Sequence, residues 1–303
     1  MSSRESDDEM KYRDGSLSSD DGTLLQREPP EFNTAETAGW GSSVGDWLCT
    51  VGIWAIGSWA DKLPPFEREL KPQLKDPNIA YHHTPADVQM YPSVQLWRVS
   101  LYLPLAMLAV LALAMPPRAL GAGRMRLVAE LWLGLLSSVG LAFTVVCLVK
   151  SQVGRLRPDF LARCVPVNGV CTGVASVVEE GRRSFPSGHS ALSFAGLGFV
   201  SLCLGSRLVQ APGRSGALWK LCVVALPWLL ALHVALSRVA DYWHHWEDVL
   251  VGSLLGHVAA YTAYRLRFVA PSAGLVPHYH LYAAHGGEVP DKRRAHTSPP
   301  EHV

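Results

Sequence analysis

Three clusters stand out in this sequence because their residue types and spacing could do chemistry together. The first is Lys150 followed, after six intervening residues, by Arg157-Pro158. The second is Ser184-Phe185-Pro186-Ser187-Gly188-His189, and the third is Ser237-Arg238 with His244 and Asp248 beyond it. Phosphoryl transfer spreads negative charge over three equatorial oxygens, with the attacking and leaving atoms in line. A site without a metal must meet that charge with cations and backbone N–H groups. Lys150, Arg157 and Arg238 are the candidate cations. Pro186-Ser187-Gly188-His189 reads as a turn into a helix whose first N–H groups favour an anion, and Gly188 lets backbone approach phosphate. His244 and Asp248 are four apart, on one face of a helix. Asp248 is thus placed to accept from Nδ1–H of His244, leaving Nε2 as the nucleophile. His189 is then the acid that protonates the leaving alkoxide and the base that later activates water. The set as read uses no metal or other cofactor.

Elements that could bring such clusters together are legible in the apolar blocks. The chain has 303 residues, 49% hydrophobic and only 17% charged, where a soluble domain carries about 25% charged residues. A helix needs about 20 mostly apolar residues to cross a membrane. Blocks at Leu96–Met115, Leu127–Val149, Gly188–Leu208, Leu218–Leu236 and Trp246–Tyr264 suit that length, and Trp47–Ala60 is a shorter sixth. The expected fold is all-α: a six-span membrane bundle over 44–268, with disordered polar tails at 1–43 and 269–303. By parity, the third and fifth spans end on the face where the fourth and sixth begin, so all three clusters can meet there. His233 and His257 lie mid-span without a nearby carboxylate and fall outside the expected site.

Six spans place both termini on one side. The termini and the loops on their side hold fifteen Lys and Arg, against twelve on the face with the clusters. The positive-inside rule then puts the termini in the cytoplasm and the site toward a lumen or the exterior. No basic n-region precedes an apolar run at the start, which argues against a cleaved leader. A net charge of +1 without a basic, aromatic-rich patch gives no case for nucleic acid. Cys49, Cys147, Cys203 and Cys222 read as small apolar residues within spans. Cys164 and Cys171 share one loop on the site face, where either a disulfide or two free thiols fits. In the tails, Asp20-Asp21-Gly22-Thr23-Leu24-Leu25 has the shape of an acidic dileucine signal, and Ser16, Ser18 and Ser19 are candidate phosphorylation sites. His278, His280 and His285 are too irregularly spaced to define a metal site.

Taken together, the three clusters resemble the motifs of the phosphatidic acid phosphatase type 2 superfamily, complete and in order. The resemblance covers roughly 44–268 and falls within the membrane-bound lipid phosphate phosphatases. Asp61-Lys62-Leu63-Pro64-Pro65-Phe66-Glu67-Arg68 is similar to a segment that follows the first helix of that branch. Arg157-Pro158-Asp159-Phe160 and Asp241-Tyr242-Trp243-His244-His245-Trp246 resemble fungal and plant phosphatidate and diacylglycerol pyrophosphate phosphatases. The resemblance implies Mg²⁺-independent dephosphorylation of a phospholipid held in the bilayer: phosphatidate, lysophosphatidate, diacylglycerol pyrophosphate and their relatives. Position by position, it makes Lys150, Arg157 and Arg238 phosphate ligands assisted by Ser187 and Gly188. His189 becomes the acid/base, His244 the nucleophile and Asp248 its partner. His245 takes the nucleophile's role only if the register differs. Arg182 and Arg183 are either a rim for a second anionic group or a solvated pair. The rivals are a polyisoprenyl pyrophosphate phosphatase, a lipid headgroup transferase and a catalytically silent phospholipid-binding protein. The complete motifs disfavour the last two.

Overall fold

A computed structural model describes residues 40–115, 123–209, 218–271 and 275–278. Most of both expected tails, including the dileucine-like run, the three serines, His280 and His285, lies outside the described residues. The order is helix α1 (Trp40–Asp61), a largely irregular segment 62–92, and one rod, Ser93–Leu113. That rod joins α2 (Ser93–Trp97) to α3 (Leu103–Leu113) through a π turn at Arg98–Tyr102. Then follow α4 (Arg124–Val153), the short α5 (Phe160–Cys164), a hairpin of β1 (Pro166–Val167) and β2 (Val170–Cys171), and α6 (Ala175–Gly181). The long helices α7 (Gly188–Leu208), α8 (Leu218–Ala240) and α9 (Trp246–Arg267) close the order.

Among the described residues, four helices are long and apolar enough to cross a membrane: the Ser93–Leu113 rod, α4, α7 and α8. The six expected spans are therefore not all of one quality. Both α1 and α9 have the length, but α1 carries Asp46 and ends on Asp61, and α9 carries Glu247, Asp248, Arg265 and Arg267.

Helix α7 is the most enclosed and packs chiefly against α9 and α8, while α4 contacts α1, α9 and α7. One buried cluster joins Leu131, Leu135 and Val139 of α4 to Ala195 and Phe199 of α7 and Ala260 and Tyr264 of α9. The close approach of α9 to α7 depends on Gly252 and Gly256. A Cβ on Gly252 would lie 2.4 Å from the Ser187 carbonyl oxygen, and one on Gly256 2.4 Å from that of Ala191. Small residues spaced this way let helix backbones meet where lipid supplies no hydrophobic drive. At the end of the helices opposite the clusters, Arg267 of α9 pairs with Asp46 of α1 at 2.7 Å and with Glu130 of α4 at 3.0 Å. Beyond α9 the chain folds back: Val269 donates to the Val276 carbonyl at 2.9 Å and Leu275 is buried in the main core. Packing thus continues past the boundary expected at 268.

Candidate active site

Lys150 sits one turn before the end of α4, and Gly154 turns the chain beyond it. Gly154 has φ +58°, and a Cβ there would lie 1.9 Å from the Phe66 carbonyl oxygen, so only glycine fits. The turn carries the chain to Arg157, which is 1% exposed. Its guanidinium lies 4.4 Å from the Trp243 ring centre and pairs through Nη2 with Glu180 of α6. Burial pulls the Arg157 guanidinium down in pKa and Glu180 opposes that shift. The other two guanidinium nitrogens, Nε and Nη1, are buried without a partner. Unsatisfied buried donors are rare because each forfeits its hydration, and a phosphate oxygen would satisfy them. Next to Gly188 the room is bounded by Lys150, whose Nζ is 3.8 Å from where a Cβ would stand.

Ser187 caps α7: its Oγ accepts from Ser190 Oγ at 2.9 Å and more weakly from Ser190 N at 3.4 Å. This hydroxyl is used in holding the turn. His189 Nε2 lies 2.9 Å from the Tyr91 carbonyl. Because a carbonyl only accepts, Nε2 carries the proton in that contact. Arg238 is fully buried and engaged by the protein: Nε with Ser237 Oγ at 3.0 Å, Nη1 with Gln89 Oε1 at 2.5 Å, and Nη2 with Asp241 at 2.7 Å.

His244 is 2% exposed. Its Nδ1 lies 2.6 Å from the Ser184 carbonyl and 3.8 Å from the nearer Asp248 oxygen. The expected Nδ1–H bond to Asp248 is therefore replaced by one to backbone. The chemical result is the same, since donation to a carbonyl fixes the proton on Nδ1 and leaves the Nε2 lone pair free. Burial pushes the His244 imidazole down to about 3; Asp248 opposes the shift, and Arg157 and Lys150 reinforce it. Asp248 acts one step removed. Its Oδ2 accepts from Ser184 Oγ at 2.6 Å and from the His245 backbone N–H at 3.0 Å, while Oδ1 accepts from Arg155 Nη1 at 2.7 Å. His245 sits on the outer side of Asp248, with Nδ1 3.3 Å from Oδ2 and Nε2 3.2 Å from the Asn78 carbonyl.

The structure thus brings the three clusters to one end of the helices. Ser187 N–H donates to the Asp248 carbonyl, joining the second cluster to the third, and Arg157 stacks on Trp243, joining the first to the third. Several contributors were not found in the sequence: Arg155, Ser184 through its carbonyl, Glu180, and Gln89 and Tyr91 of the 62–92 segment. Only Arg155 carried a usable signal, as a third cation between Lys150 and Arg157. Arg182 and Arg183 are spent on the protein. Arg183 donates to the carbonyls of Asp61 and Leu63, each at 2.8 Å, and Arg182 donates to that of Arg68 at 3.2 Å. Cys164 and Cys171 are joined as a disulfide. His257 accepts from Trp228 Nε1 at 2.7 Å and gives its Nδ1–H to the Ser253 carbonyl at 2.8 Å, a structural bond between α8 and α9.

Comparison with known proteins agrees with this geometry. Residues 131–271, which hold all three clusters, match the model of the PAP2 superfamily. Lipid phosphate phosphatase 2 of Arabidopsis thaliana is 46% identical over 149 residues, covering 46% of this chain and 51% of its own. Diacylglycerol pyrophosphate phosphatase 1 of Saccharomyces cerevisiae is 44% identical over 133 residues, 40% of this chain and 45% of its own. Phospholipid phosphatase 1 of Rattus norvegicus is 41% identical over 126 residues, 37% of this chain and 43% of its own. The chain spans about half the length of the curated relatives it matches. No solved structure matches it.

Proposed function

We propose that this protein is an integral membrane lipid phosphatase that hydrolyses phosphatidate, diacylglycerol pyrophosphate and lysophosphatidate through a phosphohistidine on His244, without a metal. The observation that carries this reading is a buried imidazole with its proton fixed on Nδ1, set among Lys150 and the two unpartnered N–H groups of Arg157. In the first step His244 Nε2 attacks phosphorus and the P–O bond to the lipid breaks. The alkoxide takes a proton from His189 in its imidazolium form, which is left neutral with Nε2–H on the Tyr91 carbonyl. In the second step water attacks phosphorus, the P–N bond breaks and returns its electron pair to His244 Nε2, His189 takes the water's proton, and inorganic phosphate leaves. Lys150 and Arg157 meet the equatorial charge, and the N-terminus of α7 adds backbone N–H groups. Arg238 contributes its charge from a fixed position, and Asp248 supports His244 through Ser184.

In this reading six helices span the bilayer. The exposed stripes Leu48–Val51–Ile56–Trp59 on α1 and Leu250–Leu254–Val258–Tyr261 on α9 support counting those two. The termini are then cytoplasmic and the site faces a lumen or the exterior. The Cys164–Cys171 bridge beside the site suits an oxidising compartment. A phospholipid can leave its tails in the bilayer while its phosphate enters between α4 and α7.

The test is phosphate release from phosphatidate in mixed micelles with excess chelator. Wild-type protein should turn over undiminished. His244→Ala and His189→Ala should each lose activity by about 10³-fold or more while still expressing. Full activity in either variant, or abolition by chelator, sinks the mechanism. Comparing kcat/KM for phosphatidate, diacylglycerol pyrophosphate, lysophosphatidate, sphingosine phosphate and a polyisoprenyl pyrophosphate sets the substrate.

A further inference from the structure

The geometry points to Arg155 as a positioning residue of the reaction, acting on His244 through Asp248 and Ser184; this rests on the phosphohistidine reading above. Arg155 lies between Lys150 and Arg157 in sequence but does not share their task. Arg157 has buried N–H groups without partners, whereas Arg155 gives Nη1 to Asp248 Oδ1 at 2.7 Å and brings Nη2 to 3.5 Å from Glu247. Asp248 is fully buried, and a buried carboxylate stripped of its cation is strongly destabilising. Its other oxygen holds Ser184 Oγ at 2.6 Å. Arg155 also grips Ser184 directly, because the Arg155 carbonyl accepts the Ser184 N–H at 3.0 Å. Ser184 is therefore clamped from both sides by one residue, by its backbone and, through Asp248, by its side chain. The Ser184 carbonyl then fixes the His244 tautomer at 2.6 Å.

Charge follows the same chain. Asp248 steadies the imidazolium that forms when Nε2 takes the phosphoryl group, yet left unbalanced it would draw a proton onto resting His244. The Arg155 guanidinium offsets that pull, from a side chain 26% exposed at the edge of a polar pocket shared with Arg68, Asn78 and His245. Other charged or titratable groups face the pair as well: Lys150 of α4, Arg157 beyond it and His189 of α7 act on His244, and His245 lies with Nδ1 3.3 Å from Asp248. None of them changes in an Arg155 variant.

The experiment compares wild type, Arg155→Gln and Arg155→Lys for phosphatidate hydrolysis in mixed micelles across pH. Arg155→Gln should lose about 100-fold in kcat with KM within about twofold. Its acid limb in kcat/KM should rise by about one pH unit, because Asp248 is no longer balanced. Arg155→Lys keeps the charge, so its limb should coincide with wild type while kcat falls about tenfold. A limb that stays put in the glutamine variant overturns the inference. So does a loss confined to KM, which would mean that Arg155 touches substrate. If the glutamine variant does not fold, the lysine variant carries the test: a limb displaced from wild type, or undiminished kcat, overturns it. Inactive wild type, or active His244→Ala, fails the underlying reading instead.

Discussion

At the scale of the residue, the site combines one imidazole, the proposed nucleophile, whose proton is placed by backbone with one cation whose donors are left open. Arg157 stacks on Trp243, which Arg163 covers from its own guanidinium at 4.5 Å, and Trp243 Nε1 donates to the Thr84 carbonyl at 3.0 Å. Arg157→Lys removes the planar fork and the stacking together, so kcat/KM should fall by about 100-fold with protein yield kept, as measured in micelles. His244 has its own signature. With its imidazole pushed down to about 3 by burial, it stays unprotonated and nucleophilic through the acid range. The acid limb of kcat/KM that reports it should lie well below the ordinary 6.5; a limb at 6.5 would falsify that assignment. Residue types and spacing made every member of the three clusters legible in the sequence. They did not reveal the partner of His244 Nδ1, because a backbone carbonyl has no residue-type signal, and Ser184 announces only its hydroxyl.

At the scale of the element, the catalytic residues are placed by how closely helices meet. Gly252→Val puts a side chain where the Ser187 carbonyl stands 2.4 Å from the Cβ position, directly behind the turn that carries Gly188 and His189. Pushing α9 from α7 should cost more than about 10-fold in kcat and lower the melting temperature, read by activity and thermal unfolding on the same preparation. The 62–92 segment is the element least legible from sequence. It has little regular structure, and it reaches the site mainly through carbonyls, those of Tyr91 and Thr84, with Gln89 as the exception. Gln89→Ala leaves Arg238 Nη1 with only the distant Tyr91 carbonyl at 3.4 Å, and should reduce kcat/KM by about tenfold in the same assay. The long apolar rods were readable because length and hydropathy alone define them. The first helix was the less secure reading, being short and flanked by Asp46 and Asp61, and the pairs those aspartates make with Arg267 and Arg183 are revealed only by the fold.

At the scale of the whole molecule, the apolar rods, the cluster of chemistry at one end and the Arg267 pairs at the other define a molecule with two different ends. If the chemical end faces a lumen or the exterior, the Cys164–Cys171 bridge lies on that side too. After reduction, a membrane-impermeant maleimide applied to intact cells or sealed, right-side-in organelles should report which side that is. Labelling of Cys164 and Cys171 only after the membrane is opened would place them within the sealed compartment, in organelles as in cells, on the side the probe cannot reach. For an organelle that result fits the lumenal site proposed here; for intact cells it fits a protein of an internal membrane and reverses the orientation of one at the cell surface.

The fastening of α1 bears on how the protein is made. Arg183 holds the carbonyls of Asp61 and Leu63 at one end of this helix, and Arg267 holds Asp46 toward the other. Both arginines are synthesised long after α1 has left the ribosome. If α1, one of two long helices whose composition suits a membrane less than the others, spans the bilayer, its fastening must wait for the rest of the chain. Its stable insertion should then be a late event of biogenesis, completed when the final helix arrives, and a nascent chain cut short before Arg267 should leave α1 exposed to quality control.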